Sequence, residues 1–130
     1  MTKCTSLLLP DAPFAVAELS AARLDGHVVP LATGFLPPDA PAPPRVRAAA
    51  IAPLLPRGYA FVLLTAAWVH GVTSTLTPPL HVQRCAVRAA RRPQSHQLRT
   101  HDGCAPPSDL QIFAGARVTT PERTLADLAR

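Results

Sequence analysis

The residues of this sequence best equipped for chemistry are His81, Cys85, His101 and Cys104, whose side chains are of the kinds that bind a transition metal. Their spacing matches no standard zinc motif. Cys85 reads as a small buried residue, and Cys104, just ahead of Pro106-Pro107, as a loop residue beside an Asp102-Gly103 turn. Neither metal nor cofactor is expected. Near the end of the chain Arg123, Thr124 and Asp127 form a second charged set, which in a nuclease or phosphotransferase would mark a reaction site. On a helix the same spacing is an i,i+4 ion pair contributing a few tenths of a kcal/mol, and the arginine can equally tie a preceding hairpin to the helix. His70 reads as a helix-end residue suited to the C-terminal dipole. No Gly-rich phosphate loop, paired carboxylates or Gly-x-Ser-x-Gly elbow occurs, and Lys3 as the only lysine rules out an Asp/Glu-x-Lys arrangement. The chain reads as a non-enzyme.

Charge supplies the stronger signal. The net charge is +5, and no Asp or Glu occurs between Asp39 and Asp102. Twelve of the thirteen basic residues are arginine, a bias that a GC-rich genome produces whatever the function. From Gln83 to Arg99 the sequence carries Arg84, Arg88, Arg91, Arg92 and Arg99 without a carboxylate. Such a stretch is either a solvated loop or a surface for a polyanion or acidic partner. No aromatic residue is interleaved, so stacking on bases is not supported.

These side chains need elements to hold them. Hydrophobic residues make up 48% of the chain and aromatics only 5%, which implies a core of Ala, Leu and Val around Trp68 and Tyr59. The proline cluster "PPDAPAPP" at 37–44 is the expected linker, dividing a segment at 1–40 from a unit at 41–130. Before it, Asp11 caps a helix that ends at Asp25-Gly26, and a small hairpin turns around Ala32-Thr33-Gly34 with the glycine supplying the turn. Helix then hairpin is the tail of a winged helix. After the linker, a helix from Pro44 buries Val46, Ala50, Ile51 and Leu54 and leaves Arg45 and Arg47 outside. "YAFVLL" is a buried strand or the start of a buried helix, and Thr65 caps "AAWVHG" with Gly71 past its end. "LHVQRCAV", "HQLRTHDG" and a hairpin around Ala114-Gly115 give three or four strands. Thr120 and Pro121 then open a closing helix, whose Leu125 and Leu128 are expected to dock on that hairpin.

The closing run "GARVTTPERTLADLAR" resembles the signature of AbiEi-family antitoxins of actinobacterial type, with Gly115, Val118, Thr119, Pro121, Arg123, Thr124, Asp127 and Leu128 in the matching positions. "TAAWVHGV" is similar to a helix of the same proteins. The resemblance covers roughly residues 45–130, and "AVAELSAARLDGHVVPLATGFLPPD" looks like the shortened helix-plus-wing piece that precedes this domain.

The resulting expectation is an α+β protein, a degenerate winged-helix-like piece followed by a small α/β domain with a mainly antiparallel sheet. The resemblance implies a cytoplasmic, antitoxin-like regulator of a toxin–antitoxin or phage-defence locus. Duplex DNA and a cognate nucleotidyltransferase-like toxin are the implied partners, and a purely protein-binding module is the alternative. Three cysteines without a CxxC pair suit a reducing compartment, and the longest apolar run is about half of the roughly 20 residues a membrane span requires. The apolar face of the last helix still runs at Arg130, so the natural unit is expected to be longer.

Overall fold

A computed structural model describes residues 16–26, 29–36, 42–85, 93 and 95–130. It begins with α1 (Val16–Leu24), which Asp25 and Gly26 close by bonding back to Ala21 and Arg23, and a hairpin of β1 (Val29–Leu31) and β2 (Gly34–Leu36). The hairpin loop is Ala32-Thr33, and the positive φ falls on Ala32, at 49°, rather than on Gly34, which pairs with Leu31 inside the ladder. Thr33 donates both its N–H and its hydroxyl to the Ala50 carbonyl. The described helix and hairpin do not by themselves make a winged helix, and Asp11 lies outside the described residues.

Helix α2 (Pro44–Ile51) starts on a proline whose fixed φ suits the first helical position, and it buries Val46, Ala48, Ala50 and Ile51. A single 3-10 turn (Ala52–Leu54) and the Pro56–Gly58 bend lead into β3 (Tyr59–Phe61), whose three side chains are all buried. The run that the sequence leaves open between strand and helix is both. Val62 ends the strand and α3 (Leu63–Val69) follows at once, through Leu63 at a φ of 52°. Thr65 is therefore inside the helix rather than its cap, and its hydroxyl accepts the His81 N–H at 2.8 Å. The C-terminus closes as expected, in a Schellman arrangement: Gly71, at φ 80°, donates to the Trp68 carbonyl and Val72 to that of Ala67.

The main sheet has five strands in the order β5-β4-β3-β7-β6, formed by β4 (Leu80–Arg84), β5 (Leu98–Cys104), β6 (Leu110–Phe113) and β7 (Ala116–Thr119) around β3. Helix α4 (Pro121–Leu128) closes the chain. The expected antiparallel bias is corrected here. β3–β4 and β6–β7 are antiparallel, whereas β3–β7 and β4–β5 are parallel, so the sheet is mixed. The tight β6–β7 hairpin is necessarily antiparallel, β3 and β4 are antiparallel although α3 lies between them, and the parallel neighbours are strands separated by about a dozen residues or more, as a parallel connection requires. The core gathers Ile51, Tyr59, Phe61, Trp68, Val69, Leu80, Val82 and Val118, with alanines 48, 50, 66 and 116 letting helices approach the sheet closely.

Arg47 departs from its expected place outside α2. Its guanidinium lies 5.2 Å from the Trp68 ring, and Nη1 donates to the carbonyls of Trp68 at 2.8 Å and Thr73 at 3.2 Å, so it supplements the cap of α3. No described helix is long and apolar enough to cross a membrane.

Candidate functional site

The signature segment is built outward from the β6–β7 turn. Ala114 and Gly115 both take positive φ, 51° and 80°, the pair of values a two-residue type I′ hairpin requires. Val118 is fully buried opposite Phe61. Thr119, also buried, accepts the His70 Nε2–H on its carbonyl at 2.7 Å, while its hydroxyl shares a hydrogen bond with that of Thr124 at 2.7 Å. His70 is thus the C-cap of α3 and also its tie to β7. Thr120 caps α4 by accepting the Arg123 N–H, and Pro121 opens its first turn. Arg123 then reaches two carboxylates, with Nη1 on Asp109 at 2.7 Å and Nε on both oxygens of Asp127 at 2.9 and 3.1 Å. Asp109 and Asp127 together hold the guanidinium even further toward its charged form than usual. The pairing along the helix is as foreseen, whereas the tie runs to Asp109 in the single turn just ahead of β6 rather than to the hairpin itself.

The expected docking of Leu125 and Leu128 is corrected. They are 61% and 38% exposed, and the buried residue of α4 is Thr124. Once Arg123 and Thr124 point at the sheet, helical geometry turns position 125 away from it.

Beside α4 lies a cavity of about 240 Å³ lined by Val62, Leu63, Gln83, His101, Asp102, Arg123, Asp127 and Arg130. Its outer wall is an irregularity in β5: Gln83 pairs with His101 and Arg84 already with Cys104, leaving Asp102 and Gly103 as extra residues. Gly103 takes φ 95°, and Gln83 Nε2 donates to the Asp102 carbonyl at 2.7 Å. The expected turn at Asp102-Gly103 is therefore a bulge within a strand, a device that re-aims neighbouring side chains. Next to it His81 Nδ1 and His101 Nε2 are 2.8 Å apart, sharing one hydrogen bond, with ring centroids at 5.0 Å. Burial pushes both imidazoles below the ordinary histidine range. Their mutual repulsion and Arg99 add to this at His81, and Arg99 adds to it at His101 against the opposing pull of Asp102 and Asp127. Cys85 and Cys104 are free thiols, with burial raising that of Cys85. No group of three or more metal-binding side chains is assembled among the described residues.

Of the basic cluster, Arg84 ends β4 and Arg99 lies in β5, both exposed, while Arg88, Arg91 and Arg92 fall outside the described residues. The roles of Arg47 and Asp109 and the pairing of the two histidines are features that sequence reasoning missed. Twenty residues separate His81 from His101 and fourteen separate Asp109 from Arg123, so only the strand order brings them together.

Chemically this region holds an arginine paired with two carboxylates beside α4 and a hydrogen-bonded imidazole pair between β4 and β5. Residues 59–130 match the family model for the AbiEi antitoxin C-terminal domain. No curated protein and no solved structure matches the chain.

Proposed function

The chain belongs to the AbiEi antitoxin family, and from that premise we propose that it is a regulator of a toxin–antitoxin or phage-defence locus that holds the backbone of duplex DNA. Members of the family act without enzymatic chemistry. The grip would come from Arg84, Arg88, Arg91, Arg92 and Arg99, in the cytoplasm of an actinobacterial-type host. The observation that carries this reading is the exposure of Arg84 at the end of β4 and of Arg99 in β5, within an interval free of carboxylates. Helix α1 and the β1–β2 hairpin would then be the remnant of a winged helix in a unit at 1–40, lying against the backbone rather than reading bases. Each phosphate neutralised lowers the log–log salt slope by about 0.9, so replacing Arg84 and Arg99 with glutamine should flatten it by nearly 2. Fluorescence anisotropy on duplex DNA over a salt series tests this. Absence of binding at low salt, or a slope indifferent to both substitutions, overturns it.

A second reading rests on a different observation, the outward leucines of α4. Leu125 at 61% exposure and Leu128 at 38% give the family's signature helix an apolar face suited to a protein partner. That partner would be the cognate nucleotidyltransferase-like toxin.

A further inference from the structure

The pair His81–His101 is used by neither reading above, yet it joins the outer strand to the sheet through a bond between side chains of β4 and β5. Among the described residues β5 is an edge strand, paired with β4 alone. Their ladder shifts register between Gln83 and Arg84, immediately beside His101. On the β4 side His81 is fixed by its backbone: its N–H goes to Thr65 Oγ1 at 2.8 Å and its carbonyl accepts the Val62 N–H at 3.0 Å. The imidazole of His101 therefore meets a partner whose backbone is held in place.

Proton counting gives this contact an unusual property. In the neutral pair one facing nitrogen carries hydrogen and the other offers a lone pair, across 2.8 Å. A first added proton goes to the outward nitrogen of the donating ring, since the outward nitrogen of the accepting ring already carries hydrogen, and it leaves the N–H···N bond intact. A second must occupy the facing lone pair, and two N–H groups then point at each other where a bond had been. The charged groups around the pair decide where the doubly protonated state moves. Arg99 on β5 repels both rings. Asp102 on β5 and Asp127 on α4 attract His101, and Arg123 of α4 and Arg130 beyond its end line the same cavity. A charged His101 is thus drawn away from His81 and toward the carboxylates.

We propose that the His81–His101 pair is a proton-operated latch on the outer strand: with one proton between the rings it ties β5 to β4, and with two it releases β5 while the rest of the sheet holds. Both imidazoles titrate low because they are partly desolvated, with His101 and Arg99 adding to this at His81 and Arg99 at His101, so the closed state persists at neutral pH and opening requires acidification below the ordinary histidine value of about 6.5. A folded-state pKa below the unfolded one means that the stabilisation from the pair is complete above that value and is lost as pH falls through the folded values.

Imidazole ¹⁵N NMR and amide hydrogen exchange of the full chain, taken from about pH 7.5 to about pH 5 and corrected for intrinsic exchange, provide the test. The expected result is two coupled macroscopic steps sensed by both rings, with amides of Leu98–Cys104 losing about tenfold or more of their protection across the second step and those of Ala116–Thr119 unchanged. His101→Gln and His81→Gln should each leave one imidazole titrating in a single step and β5 exchange flat with pH; should either fail to fold, the other makes the same comparison. Independent single-step titrations in the parent, β5 protection flat across both steps, equal loss in β5 and β7, or unchanged loss in the glutamine variants would each overturn the latch.

Discussion

Thr124 carries the docking of the closing helix more than either leucine near it. Its hydroxyl is buried against that of Thr119, and a hydroxyl removed from water contributes only while its partner is present. Thr124→Val keeps the volume but leaves the Thr119 hydroxyl facing a methyl group, at a cost of about 1–3 kcal/mol. Leu125→Ala removes a side chain that is 61% exposed, and should change stability by no more than about 0.5 kcal/mol. Urea unfolding of the two variants beside the parent checks both figures. A larger loss from Leu125→Ala than from Thr124→Val would mean that α4 is held by its apolar face after all. His70 reinforces the same junction from α3, since its ring donates to the carbonyl of the residue that pairs with Thr124.

Among the elements, the β6–β7 hairpin states its own geometry most openly. Its loop needs positive φ at both residues, and glycine supplies the second without strain whereas Ala114 bears the first at 51°. Ala114→Asn, a residue that tolerates this conformation and is favoured in type I′ turns, should raise stability by up to about 1 kcal/mol, read as a higher urea midpoint with an unchanged slope. No gain, or a loss, would show that the loop takes another conformation in solution. This turn was legible in the sequence because glycine and alternation are local signals, as were the Thr120-Pro121 start of α4 and the Gly71 end of α3. The parallel pairing of β4 with β5 was not, because register between strands fourteen residues apart is settled by which face each buries. Arg47 misled for a related reason: an arginine early in an alanine-rich helix looks solvent-facing until Trp68 comes to lie beneath it. Leu125 and Leu128 misled through their spacing, which fits an inward stripe just as well as the outward one that α4 presents.

At the scale of the whole molecule, two surfaces differ in character and could serve different partners. Arg84 and Arg99 lie exposed on the neighbouring strands β4 and β5, while Leu125 and Leu128 are exposed on α4. Because neither pair contributes much to the core, substitutions there should alter contacts without unfolding the chain, at about 0.5 kcal/mol or less apiece. Phosphate contact is long-range and screened by salt, whereas docking of an apolar helix face depends on area removed from water, so the two contributions can be separated experimentally. Leu125→Ser with Leu128→Ser should abolish neutralisation of a co-expressed nucleotidyltransferase-like toxin and leave DNA binding and its salt slope as in the parent. Arg84→Gln with Arg99→Gln should do the reverse. Growth rescue and DNA anisotropy measure the two outcomes, with circular dichroism confirming that each variant is folded. Full rescue by the folded leucine variant would remove α4 as the toxin-binding face, and loss of rescue in the folded arginine variant would assign the basic strands to the protein partner instead of DNA.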